Sequence, residues 1–89
     1  MNIRDLLKQY KWDDHLKDEA MYIEITYINR GAPNDISRIE YESILDIKKK
    51  FIVLNIKEEQ TYIPIHRISQ ILNRKTGEIL YIKNDSSES

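Results

Sequence analysis

Residues 51–68 of the chain read FIVLNIKEEQTYIPIHRI, and this stretch decides the fold class. The run from Phe51 to Ile56 is almost continuously apolar, which is typical of a strand that is covered on both faces. A charged turn at residues 57–59 separates it from an extended stretch over residues 60–72, which Pro64 interrupts. Because proline cannot donate to a β-ladder, Pro64 indicates a sheet edge, a bulge or a bend. The stretch therefore predicts neighbouring antiparallel strands.

Alternating apolar and polar residues predict further strands in the rest of the chain. These strands are expected at residues 21–28, 38–41, 44–48 and 78–83, and in the first of them one face carries Met21, Ile23, Ile25 and Tyr27. Residues 39–47 also allow a short helix, because Ile44 and Ile47 are helical neighbours, so both alternatives stay open there. Gly77 can take the positive φ that a hairpin turn before the last strand needs.

The N-terminal segment predicts a short amphipathic helix over about residues 3–10. Its apolar residues recur at the spacing of one helix face, at Ile3, Leu6, Leu7 and Tyr10. Asn2 can cap the first turn. An apolar helical stripe needs an apolar surface to cover, so this helix is expected to pack on the sheet.

These elements together predict a β-dominated α+β domain. The short N-terminal helix packs on an antiparallel meander of five or six short strands, which forms a small, partly closed barrel or a bent sheet. The single domain is expected to span residues 1–83. Residues 84–89 are polar and are expected to form a disordered tail.

The composition excludes several classes of function. The 89 residues include no cysteine and only two glycines, so a thiolate metal site, a cysteine nucleophile and a glycine-rich phosphate loop are excluded. His15 and His66 lie far apart in the sequence and in no ligand spacing, so we expect no metal and no other cofactor. No apolar run reaches the roughly 20 residues of a membrane span, so we expect a cytoplasmic protein without a membrane partner. The net charge of −1 means that any anion binding must come from a local patch.

The most informative polar residues are His66 and Arg67, which lie in an otherwise apolar strand segment. Alternation assigns Ile63, Ile65 and Arg67 to one face and Pro64, His66 and Ile68 to the other, unless the bend at Pro64 breaks this phase. In one interpretation Arg67 forms an internal ion pair with Glu24, Asp46 or a backbone carbonyl, and His66 is a core residue. In the other interpretation the two side chains form an anion pocket, because an arginine fork grips phosphate and a histidine donates to it.

Other residues extend the candidate anion site. Arg30 stands at the start of a glycine–proline loop and Arg4 in the first helical turn, although each is also explained as an ordinary surface charge. Residues 48–50 are three lysines that attract a phosphate backbone or simply keep the protein in solution. Trp12 and Tyr62 are the aromatic residues that we expect to stack on a base.

The sequence is similar to a small, mainly archaeal family, long catalogued as uncharacterised and described as a domain that recognises RNA ends carrying a 2′,3′-cyclic phosphate. The resemblance covers nearly the whole chain in the same order. The matching pieces are Ile3-Arg4-Asp5-Leu6-Leu7, Trp12-Asp13, Tyr27-Ile28-Asn29-Arg30-Gly31-Ala32-Pro33 and Ile63-Pro64-Ile65-His66-Arg67-Ile68. The family pattern tends to have aspartate where this chain has Asn29.

The resemblance implies a non-catalytic RNA-binding module that recognises an RNA terminus, with a 2′,3′-cyclic phosphate or a 3′-phosphate, in RNA repair or processing. The candidate ligand-binding residues are Arg4, Trp12, Arg30, Tyr62, His66 and Arg67. RNA is the expected partner, with a separate RNA-processing enzyme as a further candidate. Two alternatives stay open: a protein-interaction or scaffold domain that uses a sheet edge, and an RNA-end phosphoesterase with His66 as general base.

Overall fold

The computed structural model describes residues 3–83, which form one α-helix and seven strands in two antiparallel sheets. The helix, α1, spans Ile3–Trp12. The strands are β1 (Ile23–Ile28), β2 (Ile36–Glu40), β3 (Ile44–Ile47), β4 (Phe51–Ile56), β5 (Glu59–Pro64), β6 (Ile68–Asn73) and β7 (Glu78–Ile82). The predicted β-dominated α+β class is confirmed, whereas the predicted cap Asn2 and the predicted tail at 84–89 lie outside the described residues.

The two sheets differ in topology. The three-stranded sheet, in the order β3-β4-β5, is the predicted meander. The four-stranded sheet has the order β2-β1-β6-β7, so β1 pairs with β6 although the two strands are far apart in the sequence. Within the described residues the two sheets do not join into a closed barrel.

Two three-residue 3₁₀ turns carry the chain between the sheets. Tyr41–Ser43 leads from β2 to β3, and Ile65–Arg67 leads from β5 to β6. The first residue of each turn faces the core, since Tyr41 is buried and Ile65 packs against the buried cluster. The extended stretch expected over residues 60–72 is therefore two strands, and the total rises to seven.

A single core of isoleucine and leucine joins the helix to both sheets. Its fully buried side chains are Leu7, Ile23, Ile25, Ile52, Leu54, Ile68 and Ile71. Burying each of these side chains stabilises the fold by about 1.5–3 kcal/mol. The Tyr41 hydroxyl also donates a hydrogen bond to the backbone carbonyl of Leu7 and fixes α1 to the turn that follows β2.

The predicted inward face of β1 is confirmed for Ile23, Ile25 and Tyr27, which are buried. Met21 is half exposed, because the strand begins two residues later than expected and Met21 belongs to a 3₁₀ turn, Lys17–Tyr22.

Candidate anion-binding site

The turn Ile65–Arg67, called the His-Arg turn below, carries its two polar side chains out of the sheets. Pro64 ends β5, an edge strand of the three-stranded sheet, and it adopts φ −59° and ψ 136° immediately before the turn. The amide of Ile65 donates to the carbonyl of Lys50 at 2.9 Å and anchors the turn to the neighbouring hairpin. His66 and Arg67 are exposed. Of the edge, bulge or bend that Pro64 predicts, the structure shows an edge strand that ends at Pro64 and continues into a turn.

The internal ion pair expected for Arg67 in the structural interpretation is wrong. Glu24 lies 3.9 Å from Arg74, and Asp46 lies 3.0 Å from Lys48. No carboxylate of residues 3–83 lies within ion-pairing distance of Arg67. The turn also ends the strand alternation at Pro64, so the predicted faces for residues 65–67 are wrong and His66 is not a core residue.

The pairing of β1 with β6 brings the Arg30 loop to the same end of the four-stranded sheet as the His-Arg turn. Tyr27 is opposite Ile68 in the antiparallel register, so the chain leaves β1 where it enters β6. The loop at residues 29–35 is closed by the Asn29 amide, which donates to the Asp35 carbonyl at 2.8 Å. Arg30 is exposed in this loop and has no ion-pair partner among the described residues.

Two further groups of cations adjoin the His-Arg turn. Lys83 follows β7, and its Nζ donates to the carbonyl of His66 at 2.9 Å. The lysine turn, residues 48–50, is joined to the His-Arg turn through the carbonyl of Lys50. We call the four segments together the cationic corner; it consists of the loop 29–35, the lysine turn 48–50, the His-Arg turn and Lys83.

The cationic corner is strongly positive on a chain whose net charge is −1. It contains six lysines and arginines but one carboxylate, Asp35, which accepts a hydrogen bond from the amide of Gly31 at 3.2 Å. Beside the corner, a hydrogen bond from the Lys48 ammonium lowers the pKa of Asp46 below its ordinary value, and a second hydrogen bond, from the Ile47 amide, lowers it further. Lys48 is paired with Asp46, whereas the other five cations have no carboxylate partner among residues 3–83 and can bind a phosphate group.

Sequence reasoning missed Lys83 as part of this site. The final hairpin was the feature that could have indicated it. Residue 78 is opposite residue 73, so the antiparallel return of β7 brings residue 83 beside the start of β6. The amide of Lys83 donates to the carbonyl of Ser69 at 2.8 Å, which extends that register by one bond.

The two aromatic candidates lie in different parts of the molecule. Tyr62 is 57% exposed on β5, two residues before Pro64, and it contacts Phe51, which directly follows the lysine turn. Trp12 is 75% exposed at the end of α1, which contacts the turn before β1. Its neighbour Lys11 donates to the carbonyl of Ile44 at the start of β3, and no described contact joins the Trp12 ring to the cationic corner.

Arg4 is half-buried in the first turn of α1, and no described contact brings it to the corner.

A cleft of about 570 Å³ beside β2 carries charges of both signs. It includes Arg74, whose guanidinium lies 3.9 Å from Glu24 and 3.7 Å from Glu40. Within residues 3–83 no group of three histidine, aspartate or glutamate side chains is arranged to hold a metal ion. No helix of that same range is long and apolar enough to cross a membrane.

A model of the MJ1316 RNA cyclic group end recognition domain matches residues 1–83. The chain belongs to this family. A UPF0248 protein of Methanococcus vannielii is 40% identical over 83 residues, which is 93% of each chain. The UPF0248 protein MJ1316 of Methanocaldococcus jannaschii is 33% identical and covers 91% of this chain and 92% of its own. A UPF0248 protein of Saccharolobus islandicus is 26% identical, over 91% of this chain and 98% of its own.

The predicted resemblance to an archaeal family is thereby confirmed, and these archaeal UPF0248 proteins match this chain over nearly their whole lengths. The family model describes a recognition domain, and the relatives' names state neither a ligand nor a reaction.

Proposed function

We propose that this chain is an RNA-binding module that recognises a phosphate-bearing 3′ end, a 2′,3′-cyclic phosphate or a 3′-phosphate, at the cationic corner. The observation that carries the proposal is the β1–β6 register, through which the Arg30 loop and the His-Arg turn share one end of a sheet. The description of the MJ1316 family supports an RNA end as the ligand. The module would deliver such ends to a separate RNA-processing enzyme.

The chemistry of the site follows from its donors. Arg30 and Arg67 clamp the non-bridging phosphate oxygens, since a guanidinium presents paired N–H donors in a rigid plane. His66 donates a further hydrogen bond through its ring. Lys83 acts as a positioning residue, because its bond to the His66 carbonyl fixes the turn that carries both side chains. A 3′-hydroxyl end offers none of these acceptor oxygens, so the site discriminates against it.

The test is a comparison of one RNA with three different ends. A short single strand, labelled at its 5′ end, carries a 2′,3′-cyclic phosphate, a 3′-phosphate or a 3′-hydroxyl, and its affinity is measured by fluorescence anisotropy. We expect both phosphate ends to bind more tightly than the hydroxyl end. Equal binding to all three RNAs, or binding to none, overturns the proposal.

We propose binding without catalysis. General acid–base chemistry at a phosphate needs a second positioned group beside His66. No carboxylate of residues 3–83 is hydrogen-bonded to the His66 ring, and His15 is exposed in the segment that follows α1. An RNA with a cyclic phosphate should therefore be recovered unchanged after long incubation. Conversion to a monoester that is lost in His66→Ala would instead identify a phosphoesterase.

A second candidate function rests on β7, an edge strand of the four-stranded sheet. Its side chains Ile79 and Ile82 are 51% and 60% exposed, and an exposed apolar edge can add a strand from another chain. A dimer that dissociates on dilution, observed by analytical ultracentrifugation together with no affinity for any RNA end, would favour this scaffold function.

A further inference from the structure

The outer face of the three-stranded sheet is apolar where it borders the cationic corner. In β4 and β5 the side chains alternate, and Ile52, Leu54 and Ile63 are buried on the inner face. The outward positions pair Phe51 with Pro64 and Val53 with Tyr62. Outer faces of antiparallel sheets are commonly polar, so an apolar group at this position needs an explanation.

The side chains on this face are packed against each other. The rings of Phe51 and Tyr62 lie 5.2 Å apart at an interplanar angle of 65°, an edge-to-face contact that fixes both rings. Val53, at an outward position, is directly opposite Tyr62 in the register and is only 5% exposed. Tyr62 nevertheless keeps 57% of its surface exposed. The result is a rigid aromatic surface that is open to a ligand.

This surface is continuous with the cationic corner. Phe51 directly follows the lysine turn, and Pro64 directly precedes the His-Arg turn. The bond from the Ile65 amide to the Lys50 carbonyl joins these two ends at 2.9 Å. On the β3 side of this surface Asp46 opposes Val53 in the register, and its carboxylate is paired with Lys48 at 3.0 Å. Cations therefore border the aromatic surface on the side of the corner.

We propose that this surface, which we call the stacking platform (Phe51, Val53, Tyr62 and Pro64), binds a nucleobase of single-stranded RNA next to the terminal phosphate. The inference rests on the proposed function, because the cationic corner must hold that phosphate. An aromatic ring stacks on a base face of any sequence, whereas base pairing in a duplex hides those faces. Lys49 and Lys50 then contact the preceding phosphate. The ligand class is thus an unpaired RNA 3′ end, read by its phosphate and by one stacked base.

The test measures the affinity of a short single-stranded RNA with a 3′-phosphate for four proteins: wild type, Tyr62→Ala, Tyr62→Phe and Trp12→Ala. We expect Tyr62→Ala to weaken binding roughly 5- to 150-fold, the range found for aromatic–base stacking. Tyr62→Phe keeps the ring and should bind like wild type. Trp12→Ala removes an exposed aromatic side chain at the end of α1, which no described contact joins to the stacking platform, and it should leave the affinity unchanged.

A second arm of the test uses two abasic RNAs. In the first, an abasic residue that keeps its 3′-phosphate replaces the terminal nucleotide. In the second, an abasic residue replaces the penultimate nucleotide. Wild type should bind one of the two abasic RNAs more weakly than the intact RNA, by the same factor by which Tyr62→Ala weakens binding of the intact RNA. Tyr62→Ala should bind that abasic RNA with the same affinity as it binds the intact RNA. If Tyr62→Ala fails to fold, as judged by circular dichroism, the affinity of wild type for the abasic RNAs tests the stacking platform without that variant.

The outcomes separate the two proposals. If phosphate and hydroxyl ends bind equally well, the proposed function fails. If the preference for phosphate persists but neither abasic RNA loses affinity, the stacking platform alone is overturned. If Tyr62→Ala abolishes self-association and leaves RNA affinity intact, a protein surface occupies this face and the inference is wrong.

Discussion

At the scale of single residues, two arginines of this chain show how surroundings decide the use of a charge. Arg74 lies within 4 Å of both Glu24 and Glu40, so its guanidinium is already satisfied. Arg67 is exposed and has no carboxylate partner among residues 3–83. An exposed, unpaired guanidinium costs the fold little and can bind an anion without first breaking an ion pair.

Arg67→Ala should therefore weaken binding of a phosphate-ended RNA without destabilising the domain. A charged hydrogen bond is worth about 1.5–3 kcal/mol, so we expect roughly a 10- to 150-fold loss in affinity. The free energy of unfolding should change by less than about 0.5 kcal/mol, since nothing in the fold depends on this side chain. Anisotropy and urea unfolding measure the two quantities.

Arg74→Ala is the matched control for that experiment, and it should leave RNA affinity unchanged. Unfolding of the domain by Arg67→Ala would contradict the exposed position of this side chain. It would support the alternative that Arg67 forms an internal contact that the fold needs.

Tyr41 gives a second residue-scale prediction, on pH. Burial raises the pKa of Tyr41 above its ordinary value near 10, and electrostatic repulsion by Tyr10 raises it further. The folded state therefore disfavours tyrosinate, so this contribution to stability is full below about pH 10 and is lost as the pH rises towards the raised pKa. Tyr41→Phe removes the hydroxyl bond to Leu7 and should cost about 1 kcal/mol at pH 8.

The cost of Tyr41→Phe should become smaller at pH 11, because the phenylalanine variant has no buried hydroxyl to ionise. Urea unfolding of both proteins at pH 8 and pH 11 measures this difference. An identical cost at both pH values would show that the Tyr41 hydroxyl is not responsible for alkaline destabilisation.

At the scale of elements, the hairpin between β4 and β5 is built on residues that fit it poorly. Its two turn residues, Lys57 and Glu58, have φ of 52° and 68°, as a type I′ turn requires. Side chains other than glycine and asparagine are strained in this region. Replacing the pair by Lys57→Asn and Glu58→Gly should raise the free energy of unfolding by about 1 kcal/mol.

Thermal and urea unfolding test the hairpin prediction. Gln60→Gly serves as the control, because residue 60 is extended inside β5 and glycine there should destabilise the domain. If the Asn-Gly variant is less stable than wild type, the side chains of Lys57 and Glu58 contribute contacts that outweigh the backbone strain.

The elements also explain which features could be predicted from the sequence. The strand β4 and the inward face of β1 follow from apolar patterning, and Gly77 takes the positive φ expected of its turn, at 79°. The 3₁₀ turn at Ile65–Arg67 was not predicted, because three residues carry no periodicity and its sequence alternates like a strand. Pro64 was the single local signal that the strand ends there.

The position of the Arg30 loop and the His-Arg turn at one end of a sheet depends on pairing between distant parts of the chain. Arg30 and Arg67 share one end of a sheet only because β1 pairs with β6, and no local pattern specifies that partner. For the same reason Trp12 and Tyr62 were equivalent candidates in the sequence, although only Tyr62 lies on a strand that leads directly into the His-Arg turn. The residue types of the site could be proposed from the sequence, but their grouping required the topology.

At the scale of the whole molecule, the distribution of charge limits what the protein can bind. Six lysines and arginines lie in the cationic corner, while the whole chain has a net charge of −1, so the remaining surface is acidic. An RNA backbone that extends beyond the corner meets carboxylates that repel it. We therefore expect the affinity to come from a few phosphates at the RNA end and to be independent of RNA length beyond a few nucleotides.

This limit can be measured as the dependence of affinity on salt. Each phosphate contact of a single strand contributes about −0.7 to the slope of log K against log salt concentration. With the terminal phosphate and one or two others in contact, we expect a slope of about −1.5 to −2, identical for RNAs of about 6 and 20 nucleotides. Lys49→Gln should make the slope shallower by about 0.7, whereas Lys75→Gln, in the turn at the other end of the four-stranded sheet, should not change it. A slope that steepens with RNA length would mean that the chain binds RNA along its backbone and does not recognise its end.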